Sequence, residues 1–199
     1  MHQTFSPEDY NRYIRTLCPE YDLFNHMMAK IVERLQAKTI VSLGCGPGNL
    51  ERMIQTALPH ARVIGIDQDE AVLAYLNQVD PRIETVATSL ADYSYPEADV
   101  YIAGTSLHHL NGERKTVYQM ILANAKTFIN FEMFAGCDEI IRNRLEPNYS
   151  FDDWKQESAK VDHFRTIPEE MAELSSFGVD PKLLLRDDPF ALYLVHTRT

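Results

Sequence analysis

The chain has 199 residues, of which 45% are hydrophobic and 24% charged, with 8 glycines and 10 prolines. This composition fits one globular domain and excludes collagen-like, low-complexity and largely disordered chains. Nineteen basic and 29 acidic side chains give a formal charge of −10. Because phosphates are bound by clustered cations, this balance argues against a nucleic-acid partner or an anionic membrane surface.

The three cysteines are Cys18, Cys45 and Cys137, an odd number without paired metal-ligand spacing. They indicate neither a disulfide framework nor a zinc site, and we predict no metal. The first residues lack a basic segment followed by an apolar one, and no uncharged apolar run approaches the roughly 20 residues that span a bilayer. We therefore expect a cytoplasmic protein with no membrane partner.

Two amphipathic helices are predicted before the first strand. One begins where Ser6 can cap it and Pro7 suits its first turn. The second follows Pro19 and places apolar residues at spacings of three and four. We expect residues 1–37 to form a helical lid, whose exposed apolar surface could serve as a homodimer face.

Strands and helices alternate in the core that we predict over residues 38–132. The predicted strands cover residues 39–43, 62–67, 82–87, 99–103 and 127–131, and the predicted helices cover residues 49–58, 70–78 and 113–124. This alternation predicts a parallel sheet with helices on both faces and right-handed crossovers.

The last third of the chain departs from the alternation. Residues 133–165 are rich in aromatic and charged side chains and form a separate predicted segment. Residues 166–199 would then close the domain with a capped helix from Thr166 and two strands, at residues 182–185 and 190–195. These two strands are close enough in sequence to form a hairpin, which predicts an antiparallel C-terminal strand. Together with the alternating strands and helices, the predicted fold class is α/β, with a doubly wound, mostly parallel, seven-stranded sheet.

A glycine-rich turn joins the first strand to the following helix. Gly44, Gly46 and Gly48 let the backbone approach a ligand in conformations that side chains forbid. A dinucleotide-binding turn would need a small residue where Asn49 stands. Asp67 ends the second strand, where a carboxylate can accept hydrogen bonds from ribose hydroxyls. Its alternative role is to cap the next helix, which Asp69 could also do.

The LGCGPG turn, Asp67 and residues 82–110 together resemble the class I S-adenosylmethionine-dependent methyltransferases of the small-molecule type. The resemblance covers residues 39–132 well and the terminal strands moderately. It implies that the core at residues 38–132 binds the cofactor and that residues 133–165 form a substrate lid. It implies a Rossmann-like fold, S-adenosylmethionine as cofactor, and an enzyme that methylates N or O of a small organic acceptor. The cofactor contacts that it implies are Gly44, Cys45, Gly46, Gly48, Asp67, Gln68, Ser89, Leu90, Gly104 and Thr105.

Two residues depart from the family's usual pattern. Ser42 stands where the family usually has an acid that helps to hold the cofactor's cationic amino acid end. Ser89 stands where an acid commonly accepts the adenine amino group. The Ser89 hydroxyl can accept that bond while the Leu90 amide donates to the ring, and Asp92 is the alternative adenine ligand.

Candidate catalytic residues are His108, Glu132 and His163. His108 and His109 follow the fourth strand, and at most one of them would reach the methyl group, unless both are structural. Glu132 would hold a cationic amine, accept a proton, or be a solvated loop residue. The candidate acceptor contacts are Tyr13, Tyr21, Tyr149 and Trp154, although aromatic residues at helical spacing are often core residues.

Three other functions remain open from the sequence. Ser42 and Ser89 are compatible with a catalytically weak S-adenosylmethionine-binding module or partner subunit. The segment after Cys18 looks like that of the carboxy-S-adenosylmethionine synthase branch, for which Arg12, Arg15 and Arg142 are candidate carboxylate ligands. The third open function is that of an NAD-dependent enzyme.

Overall fold

The computed structural model describes residues 6–146 and 148–197, in which seven strands form one sheet. The strands are β1 (Thr39–Leu43), β2 (Arg62–Asp67), β3 (Glu84–Ala87), β4 (Ala98–Gly104), β5 (Ala125–Met133), β6 (Lys182–Asp187) and β7 (Phe190–His196). Their order across the sheet is β3-β2-β1-β4-β5-β7-β6. Strand β7 runs antiparallel to β5 and β6, and the other pairs are parallel. The predicted fold class, with its antiparallel C-terminal strand, is confirmed.

Helices cover both faces of the sheet. They are α1 (Pro7–Leu17), α2 (Tyr21–Arg34), α3 (Asn49–Ala57), α4 (Glu70–Val79), α5 (Arg114–Asn124), α6 (Asp138–Leu145), α7 (Phe151–Val161) and α8 (Ile167–Ser176), with a short 3₁₀ helix at Leu107–His109. The predicted caps are present, because Ser6 accepts from the amide of Asp9 and Thr166 forms a capping box with Glu169. None of the helices in the described residues is long and apolar enough to cross a membrane.

Neighbouring residues of the central strands face opposite cores. On β1, Ile40 belongs to the core under α1, α2 and α3, whereas Val41 belongs to the core on the other face. Both are fully buried. Burial on both faces is the reason that these strands read as continuous apolar runs.

Helix α2 is part of the core. Phe24 is fully buried and stacks on Phe131 of β5, with ring centroids 4.2 Å apart. Met28 and Val32 are also fully buried. Helix α2 is therefore a core helix, and Ile14 and Leu17 of α1 are buried in the same core, so the lid predicted for residues 1–37 stays a prediction.

The strand order reverses between β1 and β4. In open α/β sheets, ligands bind at such a switch point, beyond the carboxyl ends of the strands. The glycine turn follows β1, and Gly104 ends β4. Both segments therefore border the same crevice, which we call the switch-point crevice.

Candidate active site

The three glycines of the turn have left-handed backbone conformations. Their φ angles are +67° at Gly44, +53° at Gly46 and +79° at Gly48. A Cβ atom on Gly44 would lie 2.5 Å from Ser106 Cβ, and one on Gly48 would lie 2.2 Å from a Leu76 methyl carbon. A Cβ atom on Gly46 would meet nothing within 4 Å. Gly44 and Gly48 therefore allow the protein to pack on itself, while Gly46 leaves room for a ligand against the main chain.

Cys45 turns its side chain away from the crevice. Its amide donates to the carbonyl of Ile66 at 2.9 Å, and its Sγ would lie 2.8 Å from a Cβ atom on Gly65 of β2. Burial raises the pKa of the Cys45 thiol well above its ordinary value, so the thiol stays neutral. Only the main chain of Cys45 is available to a cofactor.

The Asp67 carboxylate lies against the turn. One oxygen accepts from the amide of Gly46 at 2.9 Å, and the other accepts from the amide of Asp69 at 3.0 Å. Asp69 is the residue that caps α4, through the amides of Ala71 and Val72. Capping is therefore not the role of Asp67, whose oxygens keep lone pairs for further donors.

The two alternative adenine ligands are bonded to each other. Ser89 Oγ donates to Asp92 Oδ2 at 2.6 Å, and the Asp92 amide donates to Ser89 Oγ at 3.2 Å. Leu90 is half-buried beside them, and Gln68 is exposed after β2. The hydroxyl of Ser89 is thus oriented by a charged neighbour, so the sequence alternatives form one polar pair.

The end of β4 combines open space with an unusual backbone. A Cβ atom on Gly104 would meet nothing within 4 Å, and Thr105 has a φ of +53°. A β-branched residue rarely adopts this conformation, which costs free energy and is most common at functional sites. The amide of Thr105 donates to the carbonyl of Phe131 at 2.7 Å, which ties this backbone to β5.

His108 forms a buried pair with Glu132. Its Nδ1 lies 2.5 Å from a Glu132 carboxylate oxygen. Glu132 also accepts from the amides of Leu107, His108 and Met133, at 3.0, 3.2 and 2.8 Å. The residue is buried within β5 and fully bonded, so the interpretation of Glu132 as a solvated loop residue is wrong.

The pairing shifts the pKa values of both side chains. Burial alone would lower the pKa of His108, but the charge of Glu132 and the hydrogen bond to it outweigh burial and raise that pKa. Burial alone would raise the pKa of Glu132, but the charge of His108 and the hydrogen bond to it hold that pKa below its ordinary value. The arrangement therefore favours an imidazolium next to a carboxylate.

Asp162, which the sequence analysis did not single out, completes the cluster. Its Oδ1 lies 2.8 Å from His109 Nδ1 and 3.9 Å from His108 Nε2. Burial, followed by the charge of His108, lowers the pKa of His109, so the neutral form of this imidazole is favoured. The side chains of His108, His109 and Asp162 offer ligand atoms within 4.8 Å of one another, which is also close enough to hold a metal ion.

His163 does not bring its side chain to this cluster. Its amide donates to the carbonyl of His108 at 2.7 Å, and its carbonyl accepts from Arg114 at 2.7 Å. The side chain lines a separate groove of about 180 Å³ that Arg165 also lines. The backbone of His163 thus positions the cluster, and Asp162 takes the place predicted for its imidazole.

Three of the four predicted acceptor contacts gather beside the cluster. Tyr13 packs edge-on against Tyr149 at 5.4 Å and shares a hydrogen bond with Trp154. The ring of Trp154 stacks 6.4 Å from Phe164, which lies 5.0 Å from the His108 ring. These rings form an aromatic wall next to His108. Tyr13, Tyr149 and Trp154 also pack against the hydrophobic core, so their role as acceptor contacts stays a prediction.

Tyr21 lies on the cofactor side and not with the other acceptor candidates. Its hydroxyl is 3.4 Å from Asn49 Nδ2, at the start of α3, and it shares a hydrogen bond with Tyr10 of α1. Tyr10 is also hydrogen-bonded to Thr105. Two tyrosines from the leading helices therefore cover the switch-point crevice.

Known sequences and structures match both the turn and the fold. The family described as "Methyltransferase domain" matches residues 40–127. A trans-aconitate 2-methyltransferase of Klebsiella pneumoniae (strain 342) is 34% identical over 93 residues. The plantazolicin methyltransferase BpumL in complex with SAH superimposes with a TM-score of 0.76 at 14% identity, covering 97% of this chain and 91% of that one. Residues 40–127 therefore match a methyltransferase domain, and the fold is that of solved methyltransferases.

This match supports the predicted family and S-adenosylmethionine as the cofactor. Human N-acetylserotonin methyltransferase in complex with SAM has a TM-score of 0.67 at 17% identity, covering 98% of this chain and 57% of that one. The Klebsiella relative is matched over 46% of this chain and 36% of its own length. A relative from Paracidovorax citrulli (strain AAC00-1), also named trans-aconitate 2-methyltransferase, is 30% identical over 50% of this chain and 40% of its own length. The match thus spans less than half the length of each of these two curated relatives.

Substitution of Asp67 tests the predicted sugar contact. We expect Asp67→Ala to weaken binding of S-adenosylhomocysteine by about 1.5–3 kcal/mol, the usual contribution of hydrogen bonds to a charged group. Isothermal titration calorimetry measures the loss. The matched control is Asp69→Ala, which removes the cap of α4 and lowers stability by about 1 kcal/mol while leaving the crevice carboxylate in place. Equal losses of affinity in both variants would contradict the assignment.

Proposed function

We propose that this methyltransferase moves the methyl group of S-adenosylmethionine to an oxygen or nitrogen of a small organic acceptor. The observation that carries the proposal is the His108–Glu132–Asp162 cluster beside the aromatic wall, at the end of β4. The glycine turn borders the same switch point and leaves room for a ligand at Gly46. Cofactor and acceptor would therefore meet next to an ionisable side chain.

The cofactor supplies a methyl group made electrophilic by its sulfonium sulfur, so the protein's part is alignment, exclusion of water and removal of the acceptor's proton. His108 would perform the last task. Its Nδ1 is held by Glu132 at 2.5 Å, which leaves Nε2 to accept a proton from a hydroxyl or amine. Asp162 and Glu132 then stabilise the imidazolium.

Residues 133–165 would determine the acceptor. They lie beyond the matched residues 40–127 and supply Tyr149, Trp154 and Asp162 to the surroundings of His108. A hydroxyl or amine suits two carboxylates and aromatic rings better than the polycarboxylate in the name of the trans-aconitate relatives, because like charges repel in a buried site.

The competing functions find less support. Arg12 pairs with Asp9, and Arg15 pairs with Asp22, both on the surface. Arg142 pairs with Glu146 and Asp152, so the three arginines considered for a carboxylated cofactor are already bound to acids. Against NAD, the Asn49 side chain bonds to Asn11 at 2.6 Å, in the place where a dinucleotide turn needs a small residue.

Incubation with radiolabelled S-adenosylmethionine and a panel of amines, phenols and carboxylates tests the proposal. We expect labelled product from a phenol or an amine. Product from carboxylates alone would overturn the hydroxyl-or-amine assignment. Binding of S-adenosylhomocysteine without product from any acceptor would instead favour the binding module, and binding of NADH but not of S-adenosylhomocysteine would favour the NAD enzyme.

A further inference from the structure

Glu51 is a buried carboxylate with an unused oxygen. It lies in the first turn of α3 and is only 2% exposed. Its Oε1 accepts a hydrogen bond from Ser42 Oγ of β1. Its Oε2 is buried and has no hydrogen-bond partner among the described residues. Buried polar atoms are nearly always bonded, so this oxygen calls for a partner that residues 6–146 and 148–197 do not supply.

The surroundings of Glu51 are those of the switch-point crevice. Ser42 lies on β1 just before the glycine turn. The titratable groups that interact electrostatically with Glu51 are Tyr10 of α1, Tyr21 of α2, Cys45 of the turn and Asp67 of β2. Each of these groups is neutral or negative. The carboxylate therefore lies at the base of the crevice without a cation among the groups recorded around it.

This environment disfavours the ionised form of Glu51. Burial, partly offset by the Ser42 hydrogen bond, raises the pKa of Glu51 from its ordinary value of 4.5 to about 7. The N-terminus of a helix favours an acid in its first turn, but the helix dipole does not satisfy Oε2. A ligand with a positive N–H donor would satisfy the oxygen and the charge together.

We propose that Glu51 binds the α-ammonium group of S-adenosylmethionine, with Ser42 as the residue that positions the carboxylate. Of the cofactor's two cationic groups, the ammonium carries N–H donors and the sulfonium has none, so the ammonium is the positive group that can hydrogen-bond to Oε2. The inference rests on the cofactor-binding half of the proposed function. It accounts for Ser42 at a position where the family usually has an acid, because α3 returns a carboxylate to the same place.

Three ligands separate the contribution of the ammonium group from that of the adenosine. S-adenosylhomocysteine keeps the ammonium, while 5′-methylthioadenosine has the same adenosine and thioether but no amino acid end. At pH 8, where Glu51 is ionised, calorimetry should show that Glu51→Gln weakens S-adenosylhomocysteine about 10- to 100-fold, as expected for a charge-assisted hydrogen bond. Binding of 5′-methylthioadenosine should change less than about twofold, because it makes no contact with the carboxylate. The affinity for S-adenosylmethionine should fall by the same factor as the affinity for S-adenosylhomocysteine.

The control variant is Glu139→Gln, which removes the same charge from an exposed position on α6. It should leave all three affinities unchanged. Glu51→Gln should fold, because the amide is isosteric and ionisation of a group with a raised pKa lowers stability as pH rises through about 7. Its melting temperature at pH 8 should equal or exceed that of the wild type.

Proton release gives a second measurement. Calorimetry at pH 6.5 in buffers of different ionisation enthalpy should show that S-adenosylhomocysteine expels protons from the wild type and expels fewer from Glu51→Gln. Equal losses for both thioether ligands, or none for either, would overturn the role of Glu51 while leaving the function intact. A wild type that binds no S-adenosylhomocysteine would instead overturn the proposed function itself.

Discussion

Gly46→Val should reduce the affinity for S-adenosylhomocysteine more than about 100-fold. The valine side chain would keep the ligand away from the main chain of the turn and so remove several contacts worth about 1 kcal/mol each. A Cβ atom at Gly46 would meet nothing of the protein within 4 Å, so the branched side chain would occupy the space left for the cofactor. The change also acts on the main chain, since φ at this residue is +53°. Valine is strained in that region, and relaxation would move the amide that donates to Asp67.

Calorimetry measures the affinity, and thermal melting shows whether the variant is folded. Gly112→Val is the matched control, because a Cβ atom there also meets nothing within 4 Å but the residue is exposed and away from the turn. It should bind like the wild type. The strain at Gly46 costs about 1–2 kcal/mol, which lowers the melting temperature without unfolding the domain. Retained binding in a folded Gly46→Val protein would show that the turn does not contact the cofactor.

His108→Ala should lower kcat/KM about 10²- to 10⁴-fold, the usual range for a general base. S-adenosylhomocysteine should bind as well as it does to the wild type, because the pair with Glu132 lies on the acceptor side. The assay uses the best acceptor from the labelled panel. His163→Ala is the matched control, since its side chain lines a separate groove, and it should keep most of the activity. Equal losses in the two variants would contradict the assignment of the base.

The pH dependence of the same pair has a definite sign. A base acts when deprotonated, so activity should rise with pH through the pKa of His108, which Glu132 holds above its ordinary value. Glu132→Gln removes that charge, lowers the pKa of His108, and should move the acidic limb of the profile to lower pH. Titration of the His108 resonance by NMR in both proteins measures the shift directly. An unchanged pKa would show that the pair is not coupled.

The alternation of short β-branched runs with amphipathic helices was enough to predict the sheet. The first and last strands of the core, β1 and β5, were placed correctly because their flanks carry clear turn or helix signals. Strand β5 is longer than predicted, since its pairing with β7 continues to Met133 opposite Phe190. No short-range pattern reveals that contact, and the extension carries Glu132 from a supposed loop into a buried strand.

Helices α6 and α7 were missed within the segment expected to cover the acceptor. Acidic and basic residues dominate their sequences, so their apolar faces are narrow, with Ile141, Leu145 and Phe151 as buried residues. Their packing depends on contacts with α1, as in the edge-on pair of Tyr13 and Tyr149. Asp162, at the end of α7, could not be linked to His109 from spacing, because 53 residues of chain separate them.

Local sequence determined the glycine turn, the acid that ends β2 and the histidines after β4, because these features depend on neighbouring residues and on the common edge of parallel strands. Tertiary structure alone decided which side chains meet there. It brought Glu51 beneath Ser42 and buried Glu132 against His108. Burial and the charges brought close by folding then set the protonation of these groups, and neither quantity is encoded in the spacing of residues along the chain.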